Sequence, residues 1–286
     1  MSPAGAVVPG AVVGAVLFAA LLHASWNALI KARSDPFLAT VMLAAGAGLV
    51  GFSVLPFVAA PAAPSWPFIA GSSLVHVLYC ALLVEAYRNA DMSHAYPLMR
   101  GSAPLIVALA APLVGDSLSP SQWMAVGLIC AGSLALYASA RGQIQGLRRT
   151  TTFALLTACA TAAYTLVDGA GARRSGAPVA YTMWTIGLTG VGVLALGLWQ
   201  RPRETLRYAR ANAPLSLLGG AISLSSYTIA LWAMTLAPVP VVAALRETSI
   251  LFATAIAAVF LRERIRPARL GAVLLVASGA ALMRVA

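Results

Sequence analysis

The chain alternates long apolar blocks with short polar interruptions, and no stretch shows the period-two alternation of a barrel strand. A helix rises about 1.5 Å per residue, so a hydrocarbon core about 30 Å thick takes about 20 residues to cross. Cutting at Pro, Gly and charged positions leaves ten blocks of that length, near 7–30, 36–59, 66–88, 93–114, 119–140, 151–172, 178–199, 213–236, 240–261 and 266–284. Backbone polar groups in lipid must be satisfied within their own segment, so each block is read as a helix. The connections are short and rich in proline, as at Ser34-Asp35-Pro36 and Ala237-Pro238-Val239-Pro240, and none is long enough for an extramembrane domain. The predicted fold class is an all-α membrane protein with ten transmembrane helices.

The second half of the pattern repeats the first. Gly115-Asp116-Ser117-Leu118-Ser119-Pro120, followed by Ala125-Val126 and Gly132, is echoed 147 positions later by Arg262-Glu263-Arg264-Ile265-Arg266-Pro267, Ala272-Val273 and Gly279. Upstream, Tyr79 corresponds to Tyr227, Arg100 to Arg246, and Ala24-Ser25-Trp26 to Ala162-Ala163-Tyr164. Residues 1–140 and 151–286 are therefore expected to be two five-helix repeats joined by a linker at 141–150. Five is odd, so the second repeat enters the membrane from the opposite side. Inverted repeats of this kind enclose a site near the midplane, between halves that rock in alternating access.

Composition agrees with a bilayer as solvent. The 286 residues are 60% hydrophobic and 9% charged, and the mean hydropathy is +0.85. A net charge of +11 would suggest nucleic acid in a soluble protein, but the arginines sit singly or in short groups between apolar runs, which argues against a nucleic-acid face. They report topology. Loops after odd-numbered helices carry fourteen Lys and Arg against Arg173 and Arg174 after even ones, which puts the odd loops in the cytoplasm and both termini outside. Cys80, Cys130 and Cys159 lie in apolar runs without metal or redox spacing and read as free thiols.

The repeated Gly-Asp or Arg-Glu turn, the Ser-Pro or Arg-Pro helix start and the Gly- and Ala-rich last helix of each half resemble the drug/metabolite transporter superfamily, EamA type. The turn at Gly115–Pro120 is similar to that family's Gly-Glu-x-Leu-Ser pattern, with Asp116 in place of Glu; the second copy keeps the acid and lacks the Gly. The resemblance covers the whole chain and implies a ten-helix carrier whose cavity is lined by the first, third, fourth, sixth, eighth and ninth helices. It also implies both termini inside, against the charge count. Relatives of this kind include exporters of amino acids, aromatic ones among them, nucleotide-sugar carriers and drug pumps. The string His23-Ala24-Ser25-Trp26-Asn27 departs from the commoner Trp-Gly pattern, so it carries no substrate over.

An ionisable side chain at the centre of a span costs at least about 2.5 kcal/mol, which makes each one a functional candidate. Arg100 and the pair Arg246-Glu247 occupy matching places in the two halves. An arginine there holds a carboxylate or phosphate through its rigid fork, or else ties helices together. Glu247, adjacent to Arg246, is expected to neutralise it, leaving Arg100 as the anchor. Helical spacing puts His76 and Tyr79 on one stripe, and Ser93, Tyr96, Pro97 and Arg100 on another. Tyr164 shares a polar face with Thr157, Thr161, Thr165 and Asp168. Trp26, Tyr79, Tyr96, Tyr164 and Tyr227 are therefore candidates to offer rings and hydroxyls to a flat or amphipathic substrate. Among groups able to couple transport to protons, Asp168 is favoured; Glu85, also a candidate, faces away from His76 and is expected to pair with Arg88. Asp35 and Asp91 precede helices and read as caps.

No HExxH, GxSxG or phosphate-binding glycine loop is present, and no Cys/His metal spacing, so the chain is not read as an enzyme and no cofactor or metal is assigned. No selectivity-filter repeat supports a passive channel. The expected function is secondary export of small metabolites, amino acids first, with aromatic ones as one option among them, across an inner membrane by alternating access. A multidrug or cationic-compound carrier ranks second, because it would favour acid-lined sites and the chain has eight acids. The expected partners are a small-molecule substrate and the lipid bilayer, with a monomer as the working unit.

Overall fold

The computed structural model describes residues 8–31, 35–87, 92–140, 147–259 and 267–285. Among these residues eleven α-helices follow in order: α1 (Gly10–Lys31), α2 (Pro36–Val54), α3 (Trp66–Tyr87), α4 (Met92–Ala110), α5 (Pro120–Ala140), α6 (Leu147–Ser175), α7 (Pro178–Gln200), α8 (Pro202–Leu236), α9 (Val239–Arg246), α10 (Ser249–Val259) and α11 (Pro267–Val285). No strand occurs among the described residues. Among them, nine segments have the length and apolarity of membrane spans, with α9 and α10 contributing to one; α11, packed along α5, is the tenth crossing.

Local chemistry sets most boundaries. Pro36, Pro178 and Pro202 stand at first-turn positions, where a missing N–H is no loss. Asp35 caps α2, its carboxylate accepting from the Leu38 N–H at 3.0 Å. Gly115 (φ 78°) and Gly176 (φ 62°) turn the chain after α4 and α6 in the left-handed region, which costs glycine little. Asp91, the other expected cap, lies outside the described residues.

Two departures from the sequence reading matter. Helix α8 begins at Pro202 rather than near 213, because the stretch before the apolar block is polar but helix-forming and simply continues the helix. The ninth span is broken. Between α9 and α10 the N–H groups of Glu247 and Thr248 bond to the carbonyls of Ala244 and Leu245, a tightened turn that ends one helix and starts the next.

The packing exchanges the two halves. Helix α3 lies on α6 as α1 lies on α8; α4 meets α6 as α9 and α10 meet α1; α2 packs on α8 as α7 packs on α3. The pairs α2·α7, α5·α11 and α4·α9 join corresponding elements directly. A two-fold relation between five-span halves of opposite sense produces this set. Along the α2·α7 seam the backbones nearly touch: a Cβ built on Gly190 would lie 2.6 Å from the Ala44 carbonyl oxygen, and one on Gly48 would lie 3.1 Å from the Gly190 Cα.

Candidate functional site

Where the halves meet, α3, α6, α7 and α8 carry a buried polar cluster. Asp168 on α6 is fully buried and accepts from the Tyr181 hydroxyl at 2.8 Å and the Tyr227 hydroxyl at 2.5 Å, one on each carboxylate oxygen. The Ser72 hydroxyl lies 3.1 Å from His76 Nδ1. The His76 ring stacks on Tyr164, with centroids 3.9 Å apart and planes 24° off parallel, and meets Tyr227 edge-on at 5.6 Å. Tyr79 meets Tyr164 edge-on at 5.5 Å. Helical periodicity explains the convergence: Ser72, His76 and Tyr79 repeat on one face of α3, and Tyr164 and Asp168 on one face of α6.

The charged part of the cluster sits at the α9–α10 break. Arg100 on α4 pairs through Nε with Glu247 at 2.8 Å and donates through Nη2 to the Arg246 carbonyl at 3.1 Å and to the Ser249 hydroxyl at 3.0 Å. One guanidinium thus joins the end of α9 to the start of α10. Arg246 points elsewhere: its guanidinium carbon lies 5.2 Å from the centroid of Tyr227, over the ring. Within electrostatic reach of both arginines is His23 on α1, whose ring meets Trp26 edge-on at 5.0 Å.

Of the candidates named from sequence, His76, Tyr79, Tyr164, Asp168, Tyr227 and Arg246 are thus brought into one neighbourhood, with Arg100 and Glu247 beside it. The expected pairing of Arg246 with Glu247 is corrected, because the break swings Glu247 toward Arg100 on the facing helix. Glu85 stands apart and pairs with Arg149, at the start of α6, at 3.2 Å. Its expected partner Arg88 lies outside the described residues, as do the side chains of Tyr96 and His94.

Sequence reasoning missed a second charged feature. Asp116, after α4, has its side chain 1% exposed, and its two oxygens take both ends of the Arg173 fork at 2.9 and 3.0 Å. Asp116 also accepts the Val239 N–H at 2.7 Å, while Arg173 donates to the carbonyls of Met234 and Ala237 at 2.8 and 3.0 Å. This clamp joins the turn after α4, the end of α6 and the α8–α9 joint. The signal available was the double arginine at the end of an apolar block, the only basic pair among the even-numbered loops.

The comparisons with known proteins bear on the second half first. Residues 149–285 match the EamA-like transporter family. That EamA-like half contains α6 to α11, and with them Asp168, Tyr227 and Arg246. A solved structure, described only as the crystal structure of a protein, is similar over 95% of this chain and 97% of its own, with a TM-score of 0.74 and 19% identity. At that identity the likeness speaks for the fold alone. No curated protein matches. At this level the chain is a multi-pass helical membrane protein with an EamA-like, transporter-type second half.

Proposed function

We propose that the protein is a secondary transporter that exports amino acids, aromatic ones among them, across an inner membrane by alternating access. Residues 1–140 and 151–286 are the two units that rock, and the cluster between them is the substrate site. The observation that carries this reading is the broken ninth span. Its tightened turn and its ionisable side chains Arg246 and Glu247 lie inside an apolar span next to stacked aromatic rings, and irregular backbone at membrane depth is tolerated only where it is buried in protein or lines a cavity. Rings of His76, Tyr164 and Tyr227 at right angles or stacked favour a flat substrate. The cationic-compound alternative lacks an available acid here, since Glu247 is engaged by Arg100 and both oxygens of Asp168 by tyrosines.

The test is counterflow in proteoliposomes. Vesicles loaded with unlabelled L-phenylalanine should accumulate the labelled amino acid transiently and saturably. Flux that rises linearly with concentration and ignores internal substrate would mark a channel and end the carrier reading.

A further inference from the structure

We propose that Arg246 receives an anionic moiety of the transported molecule, a carboxylate, and that Arg100 is the brace that leaves Arg246 available for it. The inference rests on reading the central cluster as the substrate site. The two arginines correspond in the repeat but differ in what they hold. Arg100 is committed to the Glu247 carboxylate, the Arg246 carbonyl and the Ser249 hydroxyl. Arg246 forms no ion pair and no hydrogen bond among the described residues, and its one contact of this kind is the face of Tyr227.

A guanidinium carries five N–H donors around its edge. Stacking on a ring occupies its face and leaves that edge open, the side that takes a carboxylate in bidentate fashion. Neither neighbouring acid supplies one. Glu247 is turned to Arg100, and Asp168 lies at the hydroxyl end of Tyr227, both of its oxygens bonded to tyrosines. A half-buried cation without an acceptor is costly, and a ligand carboxylate removes that cost. Tyr227 then has two roles: its ring supports the arginine and its hydroxyl ties that support to Asp168. The stacked His76 and Tyr164 beside it form a wall for the apolar body of the acid. On α1, the buried indole N–H of Trp26 has no hydrogen-bond partner among the described residues and is a spare donor on the side of His23.

Three probes sharing a phenyl ring separate the charges: L-phenylalanine, 3-phenylpropionate, which lacks the amine, and phenethylamine, which lacks the carboxylate. Binding is measured by calorimetry on the purified full chain, with thermal unfolding in parallel. Both acids are expected to bind and the amine to fail. Arg246→Gln should weaken acid binding by about ten- to a hundredfold, the loss of a charge-assisted hydrogen bond, with melting near that of the parent. Arg246→Lys should recover part of the affinity, as a point charge without the fork. Arg100→Gln should lower melting and leave the folded protein's affinity nearly unchanged. Equal binding of the amine, failure of both acids, unchanged affinity in Arg246→Gln, or the two arginines exchanging these effects would each overturn the proposal. Binding of 3-phenylpropionate with exclusion of L-phenylalanine would instead sink the amino-acid reading and leave the anchor standing. Binding of both acids without counterflow would do the same to the carrier reading.

Discussion

The two ends of the bundle hold their charges in opposite ways. At the end where the even-numbered joints gather, Asp116 is almost wholly enclosed and meets Arg173 and the Val239 N–H, while the Ala62 N–H donates to the Ser175 carbonyl at 2.9 Å. At the other end the pairs among the described residues are open. Glu85–Arg149 has side chains 27% and 57% exposed, and Arg201 bridges Asp35 at 2.8 Å and Glu204 with 37% of its side chain exposed. A buried, multiply bonded ion pair resists loss of one partner strongly, whereas exposed pairs contribute little. Among the described residues, the even end is therefore fastened by a buried pair and the odd end carries exposed ones. Under the alternating access proposed above, opening the fastened end would mean separating Asp116 from Arg173.

The largest expected effect comes from undoing the clamp. Asp116→Asn keeps the size of the side chain and one acceptor but strips the anion from Arg173. Breaking a buried pair from one side costs about 3–5 kcal/mol, and the low end applies because Arg173 keeps two carbonyl acceptors and is 26% exposed. Chemical unfolding in detergent measures it. A loss below about 1 kcal/mol would place the clamp with the surface pairs and erase the contrast between the ends.

A middle-sized effect is expected at the odd end, where Asp35 combines a helix cap with an ion pair. Asp35→Ala removes both, and loss of the cap alone costs about 0.5–2 kcal/mol. Asp35→Asn keeps an oxygen for the Leu38 N–H and should recover most of that loss, because Arg201 retains Glu204. If Asn proves as damaging as Ala, the ion pair outweighs the cap and the odd end is fastened more firmly than its exposure implies.

Much of the fold was legible because hydrophobic blocks of spanning length have only one solution in lipid, and the matched turns at Asp116 and Glu263 exposed the repeat. The polar start of α8 was not, since a hydropathy cut stops where apolarity stops, whereas the helix runs on from Pro202. The break in the ninth span carries no Gly or Pro; its only trace is the polar run Arg246-Glu247-Thr248-Ser249 within an apolar block. In the site, Asp168 stood out as the aspartate well inside a span. Tyr181 did not, because its approach to Asp168 depends on how α7 lies against α6. Arg173 was counted as a marker of orientation; only the packing of three joints turns it into a clamp. The pairing of Glu247 reversed for the same reason. Adjacency in sequence favours Arg246, but the turn after Arg246 decides which way the next side chain leaves the helix.

The smallest expected effect is also the one that sharpens the comparison most. Glu85→Gln removes the carboxylate facing Arg149 from a pair with more than half of the arginine exposed, so the cost should be about 0.2–1 kcal/mol. Salt distinguishes this from a packing loss. At an ionic strength of about 1 M the screening length falls to about 3 Å, and exposed charges no longer sense one another across that gap. The difference between Glu85→Gln and the parent should therefore fade as salt is added, while the difference caused by Asp116→Asn should persist, because salt does not reach a carboxylate enclosed by Arg173 and the α8–α9 joint. Unfolding curves for both variants at low and high salt make the measurement. A salt-insensitive loss at Glu85 would mean that the α3–α6 end is buried in the membrane-embedded protein, and the two ends would then be fastened alike.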